Sequence, residues 1–117
     1  MADARPITLR EGNDESLRLT ITPDDPGEDL TAIALVEVYL KTDRCVSDTD
    51  PTTVKLSSSD PTQVQITSQT TTQLVAVAHI PGTDLTPPYG RFWRVDGVGA
   101  SGARRTAMYG PVTVVDL

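Results

Sequence analysis

The strongest constraint on the fold is a strict alternation of apolar and polar residues between Ser16 and Thr22. Leu17, Leu19 and Ile21 occupy every second position there, with polar residues between them. A period of two places one face of a strand against a core and the other face in water. Similar short segments recur about every ten residues, separated by turns rich in Pro, Gly, Asp and Ser, and this pattern is typical of an antiparallel sandwich or barrel.

We predict an all-β chain of about eight short strands. Residues 30–41 form the longest apolar segment and are expected to be a central strand, with a helical turn possible at its start. A Gly-rich turn at residues 99–102 is expected to close a hairpin, and Gly110 and Pro111 are expected to interrupt the strand that follows. The predicted strands are residues 7–10, 16–22, 30–41, 54–56, 63–67, 73–80, 89–98, 103–109 and 112–115.

The core is expected to be aliphatic, because hydrophobic residues make up 38% of the chain and aromatic residues only 4%. Most of the aromatic residues cluster near the C-terminus, around the one Trp, so we expect them to be committed to the core. Thr and Val, which favour strands, are frequent. The predicted core anchors are Trp93, Tyr39, Val36, Val38 and Leu19.

The net charge of −6 is unevenly distributed. Residues 1–60 hold six basic and thirteen acidic residues, whereas residues 61–117 hold four and three. This balance argues against nucleic-acid binding, which needs a basic patch. The acidity has two interpretations: solvated loops that keep the protein soluble, or an acidic face that docks a basic partner.

The sequence does not present a catalytic or metal-binding pattern, so we predict that the protein is not an enzyme and uses no cofactor or metal. Cys45 and His79 are the only residues of their types, and nothing in the sequence brings them together. The N-terminus lacks the apolar region of a signal peptide, and no apolar run has membrane-spanning length. We expect a soluble chain made in the cytoplasm, without membrane contact.

The arginines near the C-terminus allow two interpretations. Arg91 and Arg94 face opposite sides of a strand, and so do Arg104 and Arg105. In one interpretation, some of them pair across a subunit interface with the acidic loops at 24–29 or 43–50. In the other, they pair across the hairpin with Asp96 or stack on aromatic rings.

Several segments resemble small virion proteins of tailed bacteriophages, particularly of the actinobacterial type. Residues 9–17 look like the charged, Gly-containing opening of their immunoglobulin-like domains. Residues 29–32 and 36–41 resemble the N-terminal domain of baseplate upper proteins. Residues 92–96 and 104–114 are similar to the closing hairpin of small minor tail proteins. The resemblance implies an antiparallel immunoglobulin-like β-sandwich.

The resemblance also implies a structural function in the virion, after synthesis in the host cytoplasm. We expect a minor tail or tail-tip protein that contacts other virion proteins in several symmetric copies. A capsid decoration (cement) protein is the alternative, and a free glycan- or protein-binding module is a second one. We divide the chain into a flexible arm, residues 1–6, and one domain, residues 7–117. The candidate interface residues are Arg5, Pro6, Asp24, Asp25, Glu28, Asp48, Asp50, Arg91, Arg104 and Arg105.

Overall fold

The strand prediction is confirmed at the level of fold class by a computed structural model, in which the chain is all-β. The structure describes residues 3–10, 14–23, 27–42, 45, 47–81 and 92–115. A short 3₁₀ turn at Leu30–Ala32 precedes the fourth strand. The strands are β1 (Asp3–Ala4), β2 (Ile7–Arg10), β3 (Glu15–Ile21), β4 (Ile33–Lys41), β5 (Val54–Ser57), β6 (Val64–Gln69), β7 (Leu74–Ile80), β8 (Phe92–Gly99) and β9 (Arg104–Val115).

These strands form two sheets. The larger sheet has the order β1-β9-β8-β4-β5, and β2 also pairs with β9, so that β1 and β2 run in succession along the same neighbour. Both pair with β9 in parallel, whereas all other pairings are antiparallel. The smaller sheet has the order β3-β7-β6. Consecutive strands therefore often lie in different sheets.

One hydrophobic core joins the two sheets, which makes the architecture β-sandwich-like. The larger sheet contributes alternate residues of β4 and β8, and the smaller sheet contributes alternate residues of β3 and β7, as a period of two requires. The fully buried members include Leu19, Val36, Val38, Leu40, Leu74, Ala76, Trp93 and Val95.

Three turns share one local design, in which an Asp carboxylate holds the Thr two residues later. In each turn, Asp Oδ1 accepts hydrogen bonds from the Thr backbone N–H at 2.8 to 3.0 Å and from the Thr hydroxyl at 2.6 to 2.7 Å. Such side-chain bonds stabilise turns at the expense of regular structure. The pairs are Asp29 with Thr31, Asp50 with Thr52, and Asp60 with Thr62.

The hairpin between β8 and β9 turns at the predicted place. Gly102 has a φ of 88°, a left-handed conformation that Gly adopts without strain. The predicted interruption at Gly110 and Pro111 is wrong, because β9 continues through both residues and pairs them with Trp93 and Phe92. The irregularity lies instead between Val95 and the next residue of β8, where the register shifts by one. Residues 89–91 of the predicted strand lie outside the described residues.

Part of the predicted N-terminal arm is hydrogen-bonded to the larger sheet. Asp3 and Ala4 lie opposite Met108 and Tyr109 of β9. The Arg5 backbone N–H then donates to the Tyr109 carbonyl at 2.7 Å. These contacts attach residues 3–5 to the edge of the sheet. The division of the chain after residue 6 stays a prediction.

Candidate functional site

The outer face of the larger sheet carries an unusual set of buried charges. On β4, every second residue enters the core, and the residues between them, Glu37, Tyr39 and Lys41, point to the opposite face. Register places Arg94 of β8 opposite Tyr39, and Asp96 opposite Glu37. Glu37, Lys41 and Asp96 are all less than 5% exposed, although charged residues are rarely buried unless they are paired.

We call this set the charged cluster. It comprises residues of β4, β5, β8 and β9 together with one residue of the loop between β4 and β5. Its members are Glu37, Tyr39, Lys41, Asp48, Lys55, Arg94, Asp96, Arg104 and Thr106.

Arg104 joins the two most buried carboxylates of the charged cluster. Its Nη1 lies 2.5 Å from Glu37 Oε1 and 3.2 Å from Asp96 Oδ2, and it also donates to the Tyr39 hydroxyl at 3.1 Å. Asp96 Oδ1 accepts a further bond from the Thr106 hydroxyl at 3.0 Å. These contacts compensate the desolvation of both carboxylates, which would otherwise be costly in this setting.

Arg94 forms two bidentate pairs on the same face. Its guanidinium donates to both oxygens of Asp48 at 2.7 and 3.1 Å, and to both oxygens of Asp96 at 3.0 and 3.1 Å. It also lies 4.6 Å from the centre of the Tyr39 ring, within cation–π range. Lys41 Nζ also lies 2.5 Å from Asp48 Oδ1. The loop that carries Asp48 is thereby attached to the sheet.

The pKa values reflect this pairing. Burial raises the pKa of the Glu37 carboxyl, but hydrogen bonds and charges from Lys55 and Arg104 outweigh burial and hold it below its usual value. The Arg94 hydrogen bonds, aided by Lys41, lower the pKa of Asp48 to about 2. Burial, followed by the Glu37 charge, raises the pKa of the Tyr39 hydroxyl. The Glu37 and Asp48 carboxyls are therefore ionised at neutral pH, whereas the Tyr39 hydroxyl keeps its proton.

Two further aromatic rings extend the face beyond the charged cluster. Phe92 and Tyr109 are half-buried and lie outside the core, with ring centres 6.4 Å apart and planes tilted by 41°. Arg94 lies opposite Tyr109 in the β8–β9 register. The expectation that the aromatic residues are committed to the core therefore holds for Trp93 but is wrong for Phe92 and Tyr109.

A second feature is a cleft of about 250 Å³ at one end of the smaller sheet. Ser16 Oγ and His79 Nδ1 lie 3.2 Å apart at its wall, because β3 and β7 place the two residues opposite each other. Local sequence patterns did not predict this pair, since the residues are 63 positions apart and only strand register joins them. The cleft is lined by Asp14, Glu15, Ser16, Thr62, His79, Ile80 and Pro81.

The described part of the chain holds no group of three His, Cys, Asp or Glu side chains that could bind a metal ion. In the charged cluster each carboxylate has a basic partner, which leaves little capacity for another cation. None of the described helical segments is long and apolar enough to span a membrane.

Four of the predicted interface residues lie in ion pairs within the chain. Asp48 and Arg104 are in the charged cluster, and Arg105 Nε lies 3.2 Å from Oε1 of Glu28, which is the fourth. Arg105 also donates to the Thr22 carbonyl at 3.0 Å. Within one molecule, arginines thus pair both with Asp96 and with the acidic loops. The pairs of both interpretations therefore occur together, without a subunit interface.

The other predicted interface residues are scattered. Arg5 and Pro6 are exposed between β1 and β2, and Asp50 is held in its Asp–Thr turn. Asp24, Asp25 and Arg91 lie outside the described residues. The contacts of the seven described members lie in several places, and the prediction of one interface stays a prediction.

The predicted core anchors all have less than 5% exposure, but they occupy two places. Leu19, Val36, Val38 and Trp93 belong to the core between the sheets. Tyr39 is buried on the outer face, beneath Arg94 and Arg104. This difference follows from the alternation of side chains along β4, because Tyr39 lies on the opposite face from Val36 and Val38.

Comparison with known proteins found no family model that matches the chain and no significant match among curated proteins.

Proposed function

We propose that the chain is a structural component of a tailed phage particle and acts through protein–protein contacts. The supporting observation is the placement of the segments that resemble virion proteins. Residues 36–41 lie on β4, residues 92–96 on β8 and residues 104–114 on β9, and these three strands are neighbours in the larger sheet. Residues 9–17 begin on β2 and end on β3 in the smaller sheet, and residues 29–32 include the 3₁₀ turn before β4. The larger part of the resemblance therefore falls on three adjacent strands of one sheet.

An immunoglobulin-like topology is part of this proposal. Strands β4, β8 and β9 form one antiparallel sheet, and β3, β7 and β6 form the other. The chain crosses between the sheets after β2, β3, β5 and β7, as in Greek-key connections. The parallel pairing of the first strands with the last strand closes one edge of the larger sheet.

The faces of the sheets are better suited to protein–protein contacts than the edge strand β5. The Ser57 N–H, which points away from β4, is bonded to Gln63 Oε1 at 3.1 Å, whereas the next N–H, of Ser58, bonds to Val36 on the β4 side. Side-chain coverage of this kind protects an edge against strand addition.

A minor tail or tail-tip protein is the leading assignment, and a capsid decoration protein is the alternative within the same class. A glycan-binding module is less favoured, because Phe92 and Tyr109 are tilted and half-buried and do not form a flat platform. The tail and capsid assignments differ in multiplicity, since few copies occupy a tail tip and hundreds cover a capsid.

Quantitative mass spectrometry of gradient-purified particles tests the proposal. Particles would be prepared from a lysate in which the chain is expressed, and its peptides would be counted against those of the major capsid protein. A handful of copies per particle supports the tail tip, and hundreds support capsid decoration. If the chain stays in the unassembled fraction and is absent from particles, the virion proposal is overturned.

A further inference from the structure

The outer face of β4, β8 and β9 has the composition of a protein-binding surface. We define this outer face as the charged cluster together with Phe92 and Tyr109. Tyr and Arg are the residues that most often dominate binding energy when they lie at the centre of an interface. Here the outer face combines Tyr39, Arg94 and Arg104 with the Phe92–Tyr109 pair.

The basic groups of the outer face are held in fixed positions. Arg94 is clamped by bidentate bonds to Asp48 and Asp96, and Arg104 is held by Glu37 and Asp96. A side chain that is already ordered loses little entropy on binding, so prior ordering increases affinity. Surface arginines without such support would lose more rotamer freedom.

The two most exposed charged side chains of the outer face are cations. The Lys55 and Arg104 side chains are 50% and 42% exposed, and the Asp48 side chain follows at 39%. The other two carboxylates, Glu37 and Asp96, are 6% and 1% exposed. The outer face holds four basic and three acidic residues, a balance of +1. The thirteen acidic and six basic residues elsewhere in the chain leave a balance of −7. The outer face therefore carries a small net positive charge in a protein that is acidic as a whole.

We infer that the outer face binds the acidic surface of a second copy of this chain. Charge complementarity selects this partner, because each copy carries both the cationic face and the acidic remainder. Two different surfaces meet in such a contact, so it is heterologous and extends to rings or filaments instead of closing as a two-fold dimer. The inference concerns the purified protein and does not depend on membership of a phage particle.

Sedimentation of the purified full chain tests the inference. The weight-average mass is expected to rise with protein concentration up to about 1 mM, and the association to weaken at least about fivefold between 50 and 500 mM NaCl. Chemical-shift changes on dilution, followed by ¹⁵N NMR, are expected on β4, β8 and β9 and on a second, acidic surface. A protein that stays monomeric at every concentration overturns the inference, and so does association that leaves β4, β8 and β9 unchanged.

Two variants and a matched control distinguish a specific role of the outer face from a general effect of net charge on self-association. Arg104→Gln and Lys55→Gln are each expected to weaken self-association about tenfold. Arg18→Gln makes the same change in net charge at an exposed position of β3 in the other sheet. It should change the association less than about twofold. The unfolding midpoint of each variant is measured alongside, and Lys55→Gln carries the test if Arg104→Gln unfolds. Equal weakening in Lys55→Gln and Arg18→Gln overturns the inference.

Discussion

The indole N–H of Trp93 donates a hydrogen bond of 2.7 Å to the backbone carbonyl of Arg5, across 88 positions of sequence. Trp93 is fully buried, and the bond satisfies its single polar group, as is usual for a buried Trp. The same bond fixes the chain between β1 and β2, where Arg5 also donates to Tyr109. One side chain therefore joins the core to the N-terminal edge of the larger sheet.

Substitution of Trp93 is expected to separate these two contributions. Trp93→Ala should lower the free energy of unfolding by about 3–5 kcal/mol through the cavity it leaves. Trp93→Phe keeps much of the apolar volume but leaves the Arg5 carbonyl without its donor, so we expect a loss of about 1–3 kcal/mol. Urea denaturation measures both. Hydrogen exchange at the Arg5 amide should accelerate in Trp93→Phe, and wild-type exchange there would contradict the proposed link.

Position 110 lies beside this contact and is expected to accept only Gly without loss of stability. A Cβ at position 110 would collide with the carbonyl group of Arg5, which is backbone and cannot turn aside. Gly110→Ala should therefore lower the free energy of unfolding by about 1–3 kcal/mol, as overpacking does. Gly27→Ala is the matched control, since nothing lies within 4 Å of its added Cβ and its effect should be near zero. Equal melting temperatures for the two variants would rule out the steric argument.

The alternation of residue types predicted most of the strands and their buried faces. In β4, it placed Val36 and Val38 on one face and Glu37 and Tyr39 on the other, as the structure has them. It worked because side chains on a strand must alternate, whatever the partner strand. The all-β class follows from such local signals.

The sequence did not predict which strands pair or in which register, because the local periodicity of a strand is the same for every possible neighbour. Parallel pairing of β1 and β2 with β9 depends on residues about 100 positions apart. The Ser16–His79 contact in the cleft has the same origin. The hairpin was short enough for Asp96 to be named as a partner of the arginines, but the burial of that carboxylate depends on the adjacent strand β4.

Removal of the Asp96 carboxylate is expected to destabilise the larger sheet. Asp96→Ala deletes acceptors for Arg94, Arg104 and Thr106 at a site that is 1% exposed. The expected loss of unfolding free energy is about 1–3 kcal/mol, because the two arginines are partly exposed and can recover some hydration. Chemical denaturation measures it. Asp60→Ala, which removes an exposed turn carboxylate, should cost less, and the reverse order would contradict the role of the charged cluster.

The charged cluster should also make stability sensitive to acid through Asp48. Its pKa falls from 3.8 to about 2 on folding, so the folded state favours the ionised form. The resulting stabilisation is complete above about pH 4 and is lost as the pH falls through 2. With 39% of the Asp48 side chain exposed, solvent screening limits it to about 1 kcal/mol.

Urea midpoints from pH 6 to pH 2 for the wild type and Asp48→Asn measure this contribution. The difference in stability between the two proteins should be constant above about pH 4 and shrink toward pH 2, because protonation removes the charge that the variant already lacks. In an Arg94→Gln background, most of the pH dependence of that difference should disappear, since Arg94 is the main cause of the lowered pKa. A difference that stays constant down to pH 2 in the wild-type background would show that the Asp48 carboxylate is not stabilised by its basic neighbours.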